Sequence, residues 1–175
     1  MSAGSITRLF DEAEIARRVE ALAADLARTL GPDLVLVGVL KGSFVFMADL
    51  VRALDRAGAT PGVEFMRLAS YGQSKESSGE VLLLADAPRD FGQKPVLLVD
   101  DIVDTGLSMD YGRRLLLERN AARVWTCALL DKPSRRKVDI EIDFIGFTIP
   151  DLFVVGYGID YAERYRHLPY IGAIE

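Results

Sequence analysis

Uninterrupted apolar runs beside helical patterns are the strongest constraint on the fold of this chain. The segment 34–40 reads LVLVGVL and the segment 96–99 reads VLLV, with no polar residue that would face solvent. Such runs are typical of parallel strands covered on both faces. In the segments between such runs, apolar residues repeat every three or four positions, the period of a helix face. The alternation predicts an α/β domain with a mostly parallel central sheet, flanking helices and right-handed crossovers.

The first helix, over 11–30, has the clearest boundaries. Asp11 is its expected N-cap, Glu14 completes a capping-box pattern, and Gly31 with Pro32 ends it. Its apolar face consists of Ile15, Val19, Leu22, Leu26 and Leu30. The other predicted elements are strands over 34–40, 63–68, 81–85, 96–99 and 123–130, a helix over 44–56, and a helix up to 120 with Tyr111, Leu115 and Leu116 on one face.

Composition limits the class of protein. The 175 residues are 50% hydrophobic, which suits one domain over 1–175 with a single core. A single cysteine, Cys127, and a single histidine, His167, argue against disulfides, zinc sites and Cys-His nucleophile pairs, and neither residue is assigned a role. The net charge of −5 disfavours broad nucleic-acid or membrane binding. No segment is typical of a membrane span or signal peptide, so we expect a cytoplasmic protein.

Two regions depart from the regular pattern. The segment 70–80 is rich in glycine and serine and predicts a mobile loop, with 81–85 as its returning strand. After Asp131 the pattern breaks into short apolar pieces, 144–147 and 152–155, among prolines and glycines. We therefore expect a core over about 10–131 and a small irregular hood, formed mainly by 132–175 together with the N-terminal segment.

The segment 96–108, VLLVDDIVDTGLS, carries the clearest chemistry. Its last part supplies hydroxyls, a glycine and the start of a helix, and these groups suit a phosphate. Asp100 and Asp101 would repel a bare phosphate, but they suit sugar hydroxyls or Mg²⁺ beside it. A phosphorylated sugar satisfies both halves. The structural alternative is a strand end followed by a helix cap, for which Asp, Thr and Ser are common.

This segment resembles the phosphoribosyl pyrophosphate signature of type I phosphoribosyltransferases. Four further pieces are similar to the bacterial hypoxanthine-guanine members of that family, and the resemblance covers almost the whole chain. These pieces are 40–43 (LKGS), 70–72 (SYG), 130–136 (LDKPSRR) and 144–172 (FIGFTIPDLFVVGYGIDYAERYRHLPYIG). The resemblance implies the type I phosphoribosyltransferase fold. It also implies a purine salvage reaction in which hypoxanthine or guanine displaces pyrophosphate from phosphoribosyl pyrophosphate, giving IMP or GMP.

The resemblance assigns roles around the sugar phosphate. Asp104 would be the general base on the purine ring nitrogen, with a helix N-cap as its structural alternative. Asp100 and Asp101 would hold the ribose hydroxyls and Mg²⁺, and Asp160 would bind a second Mg²⁺ through water. Thr105, Gly106, Leu107 and Ser108 would hold the 5′-phosphate.

Pyrophosphate and base have their own implied residues. The Lys41–Gly42 peptide would be cis and present its amide to pyrophosphate, which Arg166 would also meet. Lys132 would donate to the exocyclic oxygen of the base, while Phe153 stacks on the ring and the backbone of Val154 bonds to its edge. Ser70 and Tyr71 would belong to a lid.

Each of these roles has a structural alternative. Lys41 and Lys132 could be surface lysines, since most of the basic run Lys132, Arg135, Arg136 and Lys137 is expected to be solvated. Phe153 and Val154 could be core, and Asp160 and Arg166 could be surface residues.

Some positions depart from the family pattern, and some questions stay open. Relatives often carry a polar or basic residue at Leu107 and Glu at Asp100, Leu152 lies at a variable place, and 73–79 matches loosely. Two other classes compete: a regulatory RNA- or DNA-binding protein that keeps this fold, and a receiver-like phosphoacceptor domain suggested by the acidic pair. The choice among hypoxanthine, guanine and xanthine is open, as is that between a homodimer and a homotetramer.

Overall fold

A computed structural model of the protein describes residues 5–70 and 81–174. These residues form a six-stranded and a three-stranded sheet, with helices packed against the larger one. In chain order the elements are β1 (Ile6–Phe10), α1 (Glu12–Leu30), β2 (Val35–Leu40), α2 (Phe44–Arg56), β3 (Gly62–Ser70), β4 (Val81–Ala85), β5 (Pro95–Val103), α3 (Leu107–Glu118), β6 (Arg123–Asp131), a 3₁₀ turn (Pro133–Arg135), β7 (Phe144–Thr148), β8 (Val154–Val155) and β9 (Ile171–Ile174).

The main sheet has the order β4-β3-β2-β5-β6-β7 and is parallel except for the edge strand β4. From β2 the chain crosses through α2 to β3, and from β5 it crosses through α3 to β6 in the opposite direction. Helices α1 and α2 cover one face of the sheet and α3 covers the other. The neighbouring strands β2 and β5 therefore form a topological switch point, where their carboxyl ends open a crevice.

Helix α1 has the predicted boundaries. The Glu14 amide donates to Asp11 Oδ1 at 2.7 Å, and the Asp11 amide donates to Glu14 Oε2 at 2.8 Å. These reciprocal bonds satisfy two amides that the first turn of a helix leaves unpaired. The predicted face of α3 is partly wrong: Met109, Gly112 and Leu116 are buried, whereas Tyr111 and Leu115 are only partly buried. Apolar residues occur on several faces of this short helix, so its periodicity is ambiguous.

Strand β5 is longer than predicted and contains the acidic pair. It continues to Val103 because β6 pairs with it along that length, with Asp100 opposite Ala128 and Val103 opposite Asp131. Backbone pairing with a neighbouring strand does not require apolar side chains. The carboxylates therefore extend from the sheet itself, at its carboxyl edge.

The region after Asp131 is more regular than expected. Phe144–Thr148 joins the main sheet as β7, parallel to β6, so the prediction of an irregular cap is wrong for this segment. Arg18 of α1 donates to the carbonyls of Ile145 and Gly146 at 2.6 Å each and thereby ties the edge strand to the helix layer. Strands β1, β9 and β8 form the antiparallel three-stranded sheet of the hood. This sheet pairs segments that are far apart in the sequence, so no local sequence pattern predicts it.

Among the described residues, no helix combines the length and apolar character needed to cross a membrane. Cys127 is a buried free cysteine in β6, and burial raises the pKa of its thiol.

The predicted returning strand after the 70–80 loop is β4, antiparallel to β3. Except for Ser70, the loop itself, including Tyr71, lies outside the described residues.

Candidate active site

The loop after β2 lies directly against the acidic pair of β5. A Cβ atom built on Gly42 would be 1.7 Å from Asp101 Oδ2, so glycine is required for this close approach. The cis peptide bond is Leu40–Lys41, and not Lys41–Gly42 as predicted. The prediction was wrong by one bond, because a sequence motif does not show which of two adjacent peptide bonds is cis.

Asp100 and Asp101 are adjacent acids with little access to solvent. Asp100 Oδ1 accepts a hydrogen bond from the Asp101 amide at 2.9 Å, and Asp101 Oδ1 accepts one from the Ile102 amide at 2.8 Å. Burial raises the pKa of Asp100 well above its usual range, and the neighbouring Asp101 charge adds to this effect. Burial also raises the pKa of Asp101, although Arg166 opposes the shift. A cation at this pair would stabilise both carboxylates.

The turn between β5 and α3 has the geometry of an anion site. Gly106 is the N-cap of α3 with φ of 83°, a left-handed conformation that glycine adopts without strain. The 12-residue helix that follows directs its first amides and the positive end of its dipole at the turn. A cavity of about 240 Å³ opens here, lined by Asp100, Ile102, Val103, Asp104, Thr105, Gly106, Ser108 and Met109.

Asp104 begins this turn, and its side chain is 42% exposed. Its Oδ1 is buried and accepts no hydrogen bond from any residue of the described ranges. That oxygen forms an ion pair with Arg135, whose Nε lies 3.5 Å away. The main chain is held separately, because Arg136 donates to the Asp104 carbonyl at 2.8 Å. A partly exposed carboxylate on a fixed backbone suits a general base.

Arg136 was missed by sequence reasoning. It also pairs with the buried Asp131 at the end of β6, and so connects that strand to the turn after β5. The prediction that most of the basic run is solvated is wrong for Lys132 and Arg136, whose side chains are largely buried. The available signal was Asp131 itself: a carboxylate at the end of a buried strand needs a cationic partner.

Lys132 follows β6 on the same edge of the sheet. Its amide donates to the Val103 carbonyl at 3.0 Å, and its side chain is only 7% exposed. The nearest carboxylate is Asp151, whose Oδ1 lies 4.0 Å from Lys132 Nζ. The surface-lysine alternative is therefore wrong, since the side chain is largely buried and its ammonium, which can only donate hydrogen bonds, has a distant counter-charge.

The segment predicted to hold the base passes beside Lys132. The Ile149 amide donates to the Asp131 carbonyl at 2.9 Å, which brings the chain up to Phe153 along the end of β6. Phe153 is 54% exposed, and its ring meets Tyr161 edge to face at 5.2 Å. The core alternative is thus wrong for Phe153 and correct for Val154, which is buried in β8. An exposed aromatic ring offers a surface on which a flat heterocycle can stack.

Charged residues from the 158–166 segment surround the Lys41 loop. Arg166 donates to the Gly158 carbonyl at 2.8 Å and pairs with Asp160 at 2.8 Å. Lys41 Nζ lies 2.8 Å from a carboxylate oxygen of Glu163, a residue that sequence reasoning did not single out. Arg166 therefore lies between Asp160 and the acidic pair of β5, whose Asp101 it influences electrostatically.

The predicted site residues thus fall into three groups at the carboxyl edge of the sheet. Gly42 contacts Asp101 beside Asp100, and Lys41 is linked to Asp160 and Arg166 through Glu163. The turn consists of Asp104, Thr105, Gly106, Leu107 and Ser108. The third group follows β6 or lies in the hood and consists of Lys132, Phe153 and Val154. Ser70 ends β3, whereas Tyr71 lies outside the described residues. A larger cavity of about 720 Å³ lies between α1, α2 and the segment 157–169; Arg166 is the one predicted site residue in its lining.

Comparisons with known proteins agree with this arrangement. The family model for the phosphoribosyl transferase domain matches residues 5–162. The hypoxanthine phosphoribosyltransferase of Escherichia coli strain K12 is 47% identical over 169 residues, covering 95% of this chain and 93% of that protein. The hypoxanthine-guanine phosphoribosyltransferase of Bacillus subtilis strain 168 is 45% identical over 168 residues, with 95% and 92% covered.

Solved structures are similar as well. A crystal structure of a hypoxanthine phosphoribosyltransferase from Staphylococcus aureus superposes with a TM-score of 0.88 at 41% identity, covering 96% of this chain and 90% of that one. A hypoxanthine-guanine phosphoribosyltransferase from Bacillus anthracis superposes with a TM-score of 0.90 at 40% identity, covering 98% and 100%. The predicted fold class is confirmed, and the chain belongs to the phosphoribosyltransferase family.

Proposed function

We propose that this protein is a purine salvage enzyme, a hypoxanthine-guanine phosphoribosyltransferase. It transfers the 5-phosphoribosyl group from phosphoribosyl pyrophosphate to hypoxanthine or guanine, releasing pyrophosphate and forming IMP or GMP. The observation that carries the proposal is the largely buried side chain of Lys132 on the same sheet edge as the phosphate-type turn of Thr105–Ser108. An ammonium whose nearest recorded counter-charge is 4.0 Å away favours a base with an oxygen at that position.

The residues divide the reaction between them. The base is held by the Lys132 ammonium, the ring of Phe153 and the backbone of Val154, while the amides of the turn hold the 5′-phosphate. The bond from the ribose C1′ to pyrophosphate breaks as the bond from C1′ to the purine ring nitrogen forms. The proton of that nitrogen goes to the carboxylate of Asp104, whose side chain is partly exposed. Lys41, Gly42 and Arg166 receive the departing pyrophosphate.

The acidic residues of the site suit Mg²⁺. Hard carboxylate oxygens are its preferred protein ligands, and it usually keeps several waters and binds through one or two carboxylates plus substrate phosphates. Asp100 and Asp101 are a buried pair whose pKa values are raised, so a cation beside them relieves an unfavourable concentration of negative charge. Asp160 is the third candidate. The described residues contain no closed cluster of three or more metal-binding side chains, which agrees with a metal that arrives with its substrate.

Turnover should require both Mg²⁺ and a 6-oxopurine. We expect purified protein to convert hypoxanthine and guanine in a spectrophotometric assay with phosphoribosyl pyrophosphate and Mg²⁺, and to lose this activity in excess EDTA. Re-addition of Mg²⁺ should restore it, which controls for irreversible damage by the chelator. Undiminished turnover in EDTA would refute the metal assignment, and absence of turnover with every 6-oxopurine would refute the proposed function. Xanthine, assayed in parallel, tests how strictly the enzyme recognises the substituent at position 2 of the purine.

We also propose that the protein forms a homodimer or homotetramer through the α2 side of β3 and β4. Strand β4 pairs antiparallel with β3 at the edge of the sheet, and apolar side chains of both strands are exposed. Phe65 lies on that side, since a Cβ atom on Gly38 would contact both Phe65 and Met47 of α2. Val63 lies on the same face of β3 as Phe65, and Leu82 pairs opposite Ala69 on that face. Val63, Phe65 and Leu82 are exposed. Apolar side chains exposed on one face of a sheet are typical of a protein interface.

Glutamate on this face should dissociate the oligomer. We expect Phe65→Glu to shift the mass measured by light scattering after size exclusion from a multiple of 19.3 kDa to the single chain. A buried charge without a partner strongly disfavours an apolar interface. Leu117→Glu is the matched control, because Leu117 is an exposed leucine on α3, on the other side of the sheet. A single-chain mass for the unmodified protein would contradict the proposal.

A cytoplasmic location, without nucleic-acid or membrane binding, belongs to the same proposal. The net charge of −5 is unfavourable for binding to polyanions. Cys127 is free and buried, which suits a reducing compartment. A gel-shift with total RNA at low salt distinguishes this enzyme from a regulatory protein of the same family, since a bound fraction would favour the latter.

A further inference from the structure

Glu163 occupies an unexpected place among the cations of the site. Lys41 Nζ donates to both of its carboxylate oxygens, at 2.8 and 2.9 Å, across 122 residues of sequence. Arg166 lies 3.4 Å from Glu163 Oε2 and is the second cation in reach. One carboxylate therefore bridges two cations from different parts of the chain, one after β2 and one from the hood.

Hydrogen bonds fix the main chain around Glu163, whereas its exposed carboxylate can move away from Lys41 and Arg166. The Glu163 amide donates to Asp160 Oδ2 at 2.7 Å, and Tyr161 and Arg164 exchange backbone hydrogen bonds across the turn. A Cβ atom on Gly158 would be 2.4 Å from the Gly42 carbonyl, so this segment packs directly on the Lys41 loop. The Glu163 side chain is nevertheless 65% exposed, so it can rotate into solvent without disturbing the core.

We propose that Glu163 sets the affinity of the site for pyrophosphate by competing with it for Lys41 and Arg166. The inference rests on the proposed function. With pyrophosphate absent, the carboxylate pairs with both cations. When pyrophosphate is present, its anionic oxygens take these cations, and Glu163 is left as a nearby negative charge that favours release of the product.

The charges around Glu163 favour a role in competing with pyrophosphate over a role in stabilising the fold. An exposed ion pair adds little to fold stability, because solvent screens it and both side chains lose freedom. The same carboxylate beside a multiply charged anion acts repulsively on every one of its charges. The Lys41 hydrogen bond lowers the pKa of Glu163, so the carboxylate is charged at neutral pH.

The test is binding of inorganic pyrophosphate to the unmodified protein and to Glu163→Gln, with Mg²⁺ present, by calorimetry and by product inhibition against phosphoribosyl pyrophosphate. We expect Glu163→Gln to bind pyrophosphate about three- to tenfold more tightly, the scale of exposed charge interactions. The gain should shrink as salt is raised, because the added ions screen the repulsion. Glu163→Ala serves as a second variant that removes the charge.

Glu118→Gln is the matched control, since it makes the same change of net charge at the exposed far end of α3. That helix begins at the site and rises about 1.5 Å per residue, which puts Glu118 well beyond the screening length of about 8 Å at physiological salt. Equal or weaker pyrophosphate binding by both Glu163 variants would overturn the inference and assign Glu163 to preorganising the two cations. Equal tightening by Glu118→Gln would also overturn it. If the unmodified protein binds no pyrophosphate, the proposed function itself fails.

Discussion

Adenine should be a very poor substrate, used about 10⁴- to 10⁵-fold less efficiently than hypoxanthine, as measured by kcat/KM. The reason is Lys132, whose side chain is 7% exposed and whose ammonium lies 4.0 Å from the Asp151 carboxylate. An ammonium only donates hydrogen bonds, so it pairs with the 6-oxygen of hypoxanthine or guanine but faces the amino donor of adenine. In a pocket that excludes water, this mismatch leaves a buried charged donor unsatisfied.

Lys132→Ala tests the residue behind that selectivity. We expect it to lower kcat/KM for hypoxanthine strongly, to narrow the gap between hypoxanthine and adenine, and to leave the KM for phosphoribosyl pyrophosphate nearly unchanged. The fold should tolerate the change, because the partner Asp151 is itself 54% exposed and stays solvated. Lys132→Met retains more of the aliphatic stem and separates lost packing from lost charge.

Lys137→Ala is the control within the same basic run. The Lys137 side chain is exposed, and its backbone amide, which donates to the Thr105 carbonyl at 2.9 Å, is retained by alanine. This variant should keep the base preference. The role of Lys132 would be refuted if the unmodified protein used adenine within about tenfold of hypoxanthine, or if Lys132→Ala left the ratio unchanged.

Asp104→Asn should lower kcat by about 10²- to 10⁴-fold, the usual contribution of general acid-base catalysis. Asparagine has nearly the same shape, but its amide cannot take the proton of the purine nitrogen. No helix cap is lost, because the N-cap of α3 is Gly106 and the N-cap alternative for Asp104 is wrong. The main-chain bond from Arg136 to the Asp104 carbonyl does not depend on the side chain. We therefore expect the thermal midpoint and the KM for phosphoribosyl pyrophosphate to change little.

Single-turnover rates with hypoxanthine measure this effect free of product release. Asp139→Asn is the control, because Asp139 is an exposed acid in the segment after Lys137 and the substitution makes the same chemical change. A loss well below about 10²-fold in Asp104→Asn would reduce Asp104 to a structural residue of the turn. An equal loss in Asp139→Asn would show that net charge is responsible.

The elements of the fold that depend on local pattern were predictable. The capping box of Asp11 and Glu14, the stop at Gly31 and the apolar run of β2 are each encoded within a few residues. The turn from Asp104 to Ser108 is local in the same sense, since a strand, a glycine in a left-handed conformation and a helix start follow directly along the chain. The alternation of strands and helices was enough to predict the sheet class.

The candidate site was predictable in its residues but not in its contacts. Resemblance to the family identified Asp104, Lys132 and Arg166 as site residues. It did not identify the residues that contact them, which are distant in the sequence. Arg136 connects the end of β6 to the turn after β5, and Glu163 of the hood accepts a hydrogen bond from Lys41, 122 residues away in the sequence. Neither contact has a local signature, because surface arginines and glutamates are common and their partners are remote in sequence.

The periodicities, the caps and the chemistry of the turn can be derived from the amino-acid sequence, because each of these depends on neighbours along one strand or helix. The packing of Gly42 against Asp101, the burial of the Lys132 side chain and the pairing of β1 with β9 depend instead on contacts between distant segments. The strand order brings β2 beside β5 although α2, β3 and β4 intervene in the chain. Contacts of this kind depend on how elements pack, and packing is set by the whole sheet and not by any single segment.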